Sequence, residues 1–234
     1  MDLIWSGLRE AVAMLLRGDP ELWQVTWLTL RVSGTATLLS VLIGVPVGAV
    51  LALSRFPGRN LVVSLINTGM GMPPVVAGLW VSLLLWRSGP LGHLGLMYSP
   101  TAMVIAQALI ATPIVMGFTL AGIQQLDRRL SLQLLALGAS RWQLILLLIR
   151  EARLSLLAAV MAGFGGVVSE VGASMMVGGN IQGYTRVLTT ATVLEVSKGN
   201  FDVALALSFI LMALAFGVTW VLTLLQQGRR PYVP

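Results

Sequence analysis

Glu170 stands alone as a carboxylate inside a long apolar run, with Ser169 and Ser174 beside it and Gly172 between them. An ionisable group buried in such a run is costly and marks a functional position by default. Its negative charge makes it a poor direct ligand for an anion, so it reads as a gate or as a contact between subunits. Arg31 falls at a similar depth of an antiparallel segment and is one candidate partner for it. Ser169 and Ser174 offer hydroxyl donors that could pass an anion along without trapping it, or could simply pack their helix. Asn180, Thr185 and Arg186 follow in a polar stretch, where they either meet an arriving anion or partner or lie solvated. Pro73-Pro74, near Val76, removes backbone donors in the middle of an apolar run. The single His93 sits among glycines and reads as a solvated loop residue, and with no Cys the chain has no thiolate chemistry. There is no phosphate-binding glycine loop, no HExxH and no carboxylate pair placed for acid–base work. These residues do not make an enzyme.

The elements that must position them follow from composition. The 234 residues are 56% hydrophobic and only 10% charged, with a mean hydropathy of +0.87, against about 25% charged in an ordinary globular domain. Too few charges remain to cover a soluble surface. The net charge of +6 comes from basic residues spread thinly between apolar runs, not from a dense patch, so nucleic acid is not an expected partner. Stretches free of Asp, Glu, Lys and Arg run over 32–54, 60–86, 88–126 and 203–228, and 154–185 is interrupted only by Glu170. Each is long enough to cross a bilayer, which takes roughly 20 residues. The expected fold is all-α and polytopic, with five spans near 22–54, 61–86, 99–125, 154–179 and 203–227. With the N-terminus outside, the inner segments hold Arg55, Arg59, Arg128, Arg129, Arg141, Arg150, Arg153, Arg229 and Arg230, nine basic residues against five in the outer segments. That bias puts the C-terminus in the cytoplasm.

Residues 1–18 place Leu3/Ile4, Leu8, Ala11/Val12 and Leu15/Leu16 at helical spacing, which predicts an amphipathic helix lying on the membrane. Gly18 would end it, and Asp19-Pro20 and Ser99-Pro100 read as cap-then-proline starts of the first and third spans. Pro46, Pro73, Pro74 and Pro113 fall within spans, and bends there should face protein or a water-filled path. Ala158, Ala162 and Gly166 form a small-residue stripe suited to close helix contact. A permease domain is expected over 19–228, followed by a cytoplasmic tail at 229–234.

The segment 127–153 is inner by the charge bias yet largely apolar. Gly138 suits a sharp turn, and Ser140 with Gln143 spells a capping box. A helix–turn–helix results, whose apolar face either meets a partner or lies on the membrane surface.

Leu137-Gly138-Ala139-Ser140-Arg141-Trp142 resembles the "EAA loop" of ATP-binding-cassette importer permeases. Leu132-Gln133-Leu134 stand where that motif has its EAA residues, and Arg150-Glu151 stand where it has Leu-Pro. Gly69–Leu79, with Pro73-Pro74-Val75-Val76, is similar to the Pro-Pro-Val-Val helix of oxyanion permeases. Ser169-Glu170-Val171-Gly172-Ala173-Ser174, Gly178-Gly179-Asn180-Ile181 and Thr185-Arg186 resemble the corresponding stretch of molybdate and sulfate permeases. The ordered set, with Arg150-Glu151-Ala152-Arg153 and the five-span build, looks most like permeases for tungstate. The resemblance implies a homodimer in the cytoplasmic membrane, two cytoplasmic ATPase subunits and an extracytoplasmic tungstate-binding protein. It implies that ATP and Mg sit on the ATPase, that this chain carries no cofactor or metal, and that tungstate is imported by alternating access. Leu137, Gly138, Ala139, Ser140 and Arg141 would dock the ATPase. Pro73, Pro74, Val76, Ser169, Glu170 and Gly172 would form the pathway or gate, and Asn180, Thr185 and Arg186 would touch the binding protein or the arriving anion. Molybdate or another oxyanion is the nearest alternative. A secondary transporter using Glu170 as its proton site and a non-transporting scaffold are alternatives of other classes, and both leave features of the sequence unexplained.

Overall fold

The computed structural model describes residues 2–227; the expected tail with Arg229 and Arg230 lies outside them. Eleven α-helices are described, without a strand: α1 Asp2–Arg17, α2 Pro20–Leu53, α3 Arg59–Met70, α4 Pro74–Leu85, α5 Pro100–Gln124, α6 Arg128–Ala136, α7 Arg141–Glu151, α8 Arg153–Val168, α9 Gly172–Gly178, α10 Leu188–Ser197 and α11 Phe201–Gln227. Three of these, α2, α5 and α11, are long and apolar enough to span a membrane unaided. The expected second and fourth spans are each broken. α3 and α4 meet at 103°, and α8 and α9 at 60°. The first break follows from Gly71-Met72-Pro73-Pro74, where two successive residues lack an N–H and Pro74 starts the new helix at its first position. Proline does not always break a helix: α2 runs on through Pro46 and α5 through Pro113. Pro46 is exposed on α2.

The expected helix starts are present. Asp19 Oδ1 accepts from the N–H groups of Glu21 (2.9 Å) and Leu22 (3.3 Å), and Ser99 Oγ accepts from Ala102 N–H (3.2 Å). Gly18, at φ +64°, ends α1. α1 is docked along α11, where Gly7 leaves so little room that a Cβ would come 2.5 Å from Leu205 Cβ, and Ser6 Oγ donates to Asp202 Oδ1 (2.7 Å). Its large apolar side chains, Ile4, Trp5, Leu8, Val12, Leu15 and Leu16, are turned outward.

α5 is the centre. α2 runs parallel to it, with Gly44 against Val115 and Gly48 against Met116 and Thr119. α3 and α8 run antiparallel on other faces of α5. Gly69 meets Pro113 and Met70 meets Gly117, while Gly163 meets Val115 and Ala111. The buried stripe of α8 toward α5 includes Ala159, Gly163 and Val167; of the expected stripe Gly166 lies against Ile114, while Ala158 and Ala162 are half-buried. Helices in lipid gain by close backbone approach, which is why glycines occupy these crossings.

At Gly48 a Cβ would lie 2.7 Å from the Met116 carbonyl oxygen, whereas nothing lies within 4 Å of Gly34 on the same helix. Gly48→Ala should therefore destabilise the detergent-solubilised protein by about 1–3 kcal/mol, read as a lower melting temperature. Gly34→Ala should leave it unchanged or slightly raised; equal melting temperatures for both variants would contradict the close α2–α5 crossing.

Candidate functional site

The two helix breaks lie against each other. A Cβ on Gly78 of α4 would stand 2.7 Å from Ala173 Cα, and one on Gly172 would stand 2.8 Å from Val75 Cγ2. Pro73, Pro74, Val76, Ser169, Glu170 and Gly172 therefore belong to one junction. Pro73, Val75 and Ser169 are exposed there, and Glu170 is only 7% exposed. Glu170 Oε1 accepts from Ala173 N–H (2.9 Å), so the carboxylate satisfies a donor freed at the start of α9. The Glu170 carbonyl accepts from Thr189 Oγ1 (3.0 Å), tying the break to α10. Arg31 is exposed on α2, and the ion pairs among the described residues are Arg186–Glu21 and Lys198–Glu195. The Arg31–Glu170 pair is thus not formed, because Glu170 turns to the backbone of its own break.

Ser169 Oγ donates back to the Gly165 carbonyl (2.8 Å), as hydroxyls in membrane helices often do. Ser174 is buried and accepts from Gln107 Nε2 (3.2 Å), which locks α9 onto α5. The other amide atom of Gln107, Oε1, is buried without a partner among the described residues. Sequence reading passed over Gln107; its signal was a lone amide within an apolar helix.

After α9 the chain makes an exposed turn that is anchored from its base. Thr185 is fully buried, its Oγ1 donating to the Gly178 carbonyl (2.6 Å) and accepting from Ile181 N–H (2.9 Å). Asn180 adopts φ +52° and donates to the Thr190 carbonyl (3.4 Å). Arg186 Nη1 pairs with Glu21 Oε1 (3.1 Å), and Gln182 Nε2 donates to both oxygens of the same carboxylate (2.9 Å each). These three expected contact residues thus brace the turn internally, and Ile181 and Tyr184 form its outer surface. A cavity of about 180 Å³ lies behind, bordered by Asp19, Glu21, Arg186 and Glu195. Hydrogen bonds from Lys198 (2.7 Å) and Asn200 (2.8 Å) hold the Glu195 carboxyl below its ordinary range, against the opposing effect of burial. The stability this adds is complete above the ordinary carboxylate range and is lost as pH falls through the lowered value.

α10 itself was not expected. Its first N–H groups find side chains instead of carbonyls: Leu188 N–H donates to Thr29 Oγ1 (2.9 Å) from α2, and Val187 N–H to Thr190 Oγ1 (3.1 Å).

At the far end, α6 and α7 form the expected helix–turn–helix. Gly138 sits at φ +84°, a conformation that disfavours a side chain. The capping box is complete, with Ser140 N–H donating to Gln143 Oε1 (2.8 Å) and Gln143 N–H to Ser140 Oγ (3.3 Å). One face of the pair is anchored through Leu148, Ala152, Ile123 and Ala49. The other carries Leu137 at 85% and Trp142 at 74% exposure, beside exposed Leu132, Leu135 and Arg141. Ala139 and Gly138 also border an open groove of about 1170 Å³ that runs between α7, α2 and α8. No cluster of three or more metal-ligating side chains occurs among the described residues.

If Glu170 acts as the cap of α9, Glu170→Gln should keep most of the stability and Glu170→Ala should lose about 0.5–2 kcal/mol. Because Arg31 does not pair with it, Arg31→Ala and Glu170→Ala should be additive in a double-mutant cycle read by thermal denaturation. A coupling well beyond the scatter of the measurement would contradict this arrangement.

Residues 44–231 match the family described as binding-protein-dependent transport system inner membrane component. The chain is 37% identical over 227 residues to the tungstate uptake system permease protein of Peptoclostridium acidaminophilum, covering 97% of this chain and 100% of that one. It is 40% identical over 199 residues to the "Probable anion ABC transporter permease protein" of Haloferax volcanii, covering 83% and 86%. Among solved structures, a chain of the MetNI methionine ABC transporter in an inward-facing conformation superposes with a TM-score of 0.76 at 20% identity, over 91% of this chain and 99% of that one, which shows a shared fold. The broken helices, the projecting helix pair and the long family match agree: the chain belongs to the binding-protein-dependent transport system inner membrane components, and is the permease subunit of an ABC importer.

Proposed function

We propose that this chain, as a homodimer, forms the membrane path of an ATP-driven importer that carries tungstate into the cytoplasm by alternating access. The observation that carries the reading is the α6–α7 pair. A side chain such as Leu137, 85% exposed at the tip of a well-capped turn, calls for a partner surface. The chain has no phosphate-binding motif of its own, so the energy comes from ATP and Mg held on two docked ATPase subunits. Leu137, Gly138, Ala139, Ser140 and Arg141 meet that ATPase. The bias of basic residues supports an outer N-terminus and an inner C-terminus, and the outward apolar sector of α1 supports a helix resting in the outer membrane interface.

The gate is the junction of the two breaks, with Pro73, Pro74, Val76, Ser169, Glu170 and Gly172. Closure of the ATPase pair shifts α6–α7, the junction opens outward, the anion enters from an extracytoplasmic binding protein, and hydrolysis resets the cycle. Since Asn180, Thr185 and Arg186 brace their turn from within, they shape the surface offered to that binding protein through Ile181 and Tyr184. Tungstate is supported by full-length similarity to a tungstate uptake permease. A second reading, molybdate or another oxyanion with the same machinery, fits equally well the 40% identity to a relative named only for anions.

Leu137→Glu and Gly138→Glu should each abolish copurification of the ATPase subunits. Leu137 carries the sharper test, because its exposed side chain supports no internal packing; retained association would remove the docking role. Elemental analysis of cells with and without the chain, grown in equal trace tungstate and molybdate, should show selective loss of tungsten. Loss of molybdenum, alone or with tungsten, would establish the second reading in its place.

A further inference from the structure

α3 carries a polar stripe that the gate does not use. Asn60, Ser64 and Asn67 follow one another at intervals of four and three residues and share one face of α3, which Gly71 continues just past its end. All four are exposed, and none of the three polar side chains among them has a hydrogen-bond partner among the described residues. The adjacent outward face carries Leu61 and Leu65, at 66% and 63% exposure. A helix that belongs to a broken span cannot present unpaired amides and hydroxyls to hydrocarbon without cost, so the two faces have different surroundings.

Packing on α5 says which way the polar face looks. Pro113, Gly117 and Leu120 of α5 meet α3, and Ala111, Val115 and Gly122 meet α8. Between these stripes α5 is uncovered at Phe118 and Ala121. Because α3 and α8 both run antiparallel to α5 and both helices are right-handed, Asn60, Ser64 and Asn67 turn toward that uncovered sector, and Leu61 and Leu65 turn away from it. The same construction brings the outward residues Ala158, Ala162, Gly165 and Ser169 of α8 to the opposite wall. The result is a groove with a polar wall, a wall of small residues and, at its upper end, the junction of the two breaks.

We infer that Asn60, Ser64 and Asn67 line the cytoplasmic half of the anion path, as a ladder of neutral donors placed about one helical turn (~5.4 Å) apart. The inference rests on the permease reading above and names the residues that the translocated oxyanion touches once past the gate. The chemistry suits a tetrahedral oxyanion, because amide and hydroxyl donors solvate it without the tight hold of a fixed cation. No carboxylate lies on α3 or α8. Glu170, at the top of the groove, is 7% exposed and turned to Ala173 N–H. Arg55 stands exposed at the foot, where its positive charge lowers the energy of an anion in the direction of release.

The chain contains no cysteine, so single substitutions can be read directly. Ser64→Cys, Asn67→Cys, Leu61→Cys and Leu65→Cys would be made in the full transporter, in inverted membrane vesicles. Each would be exposed to the membrane-impermeant anionic reagent 2-sulfonatoethyl methanethiosulfonate. Positions 64 and 67 should react about tenfold faster than 61 and 65, since a thiol facing lipid stays protonated and out of reach. Equal rates, faster reaction at the leucine positions, or slow reaction at all four (the stripe buried against the second copy) would overturn the assignment. In the same vesicles, Asn67→Asp should lower tungstate flux about tenfold while Asn67→Gln retains it, a difference of about 1.4 kcal/mol in the barrier. Equal flux in the two variants would also overturn it. The labelling pattern does not depend on the ion: labelling as expected without tungstate flux in the unaltered protein would leave the lining in place and remove the tungstate reading.

Discussion

Backbone hydrogen bonding in a medium without water is the constraint on which the rest of this structure depends. A break in a membrane helix frees N–H and C=O groups that lipid cannot satisfy, at a cost of several kcal/mol for each group left alone. The protein has two such breaks and sets them against each other. Gly78 and Gly172 supply the close approach, the Glu170 carboxylate takes up the N–H of Ala173, and Thr189 takes up the carbonyl of Glu170. The carboxylate that stands out in the sequence is therefore first a piece of backbone repair. Its position within the proposed gate follows from the same fact, because a junction held by side-chain hydrogen bonds can rearrange where a continuous helix cannot.

The outer end follows the same logic with different groups. The start of α10 is completed by the hydroxyls of Thr29 and Thr190, and the turn after α9 by Thr185 and Arg186. Glu21 gathers Arg186 and Gln182, so the first residues of α2 and the turn before α10 move as one. Within the α2–α5–α8 layer glycines let the helices approach closely, and Ser40 and Thr112 add side-chain hydrogen bonds between α2 and α5.

Much of this was legible in the sequence where a local signal existed. The caps at Asp19 and Ser99, the end of α1 at Gly18 and the turn at Gly138 with its Ser140–Gln143 box each depend on a few neighbouring residues, and each is formed. The all-α architecture followed from composition. What escaped depends on tertiary context. Charge-free length cannot tell a straight span from one bent by 103°, although Pro73-Pro74 marked the place. α10 is short, and its Thr-rich start is helical because Thr29, far away in sequence, completes it. The roles first given to Asn180, Thr185 and Arg186 assumed that polar residues in an outer loop face outward. In the structure Thr185 is buried, while Asn180 and Arg186 bond to a carbonyl and to the Glu21 carboxylate at the edge of an exposed turn. The polar stripe of α3 was visible as a pattern but meaningless until the packing of α5 gave it a direction.

One connection has mechanical weight. A single residue, Ala152, only 3% exposed, separates α7 from α8, and Leu148 on the preceding turn is clamped against Ile123 and Ala49. The joint therefore has no slack. In the proposed cycle a displacement at the tip by Gly138 would pass to the foot of α8 with no flexible linker between them, pivoting on the packed cluster at the ends of α2 and α5. α8 in turn ends at the Glu170 break. In the proposed cycle a stroke at one surface would therefore become an angular change at the junction, as in a short crank.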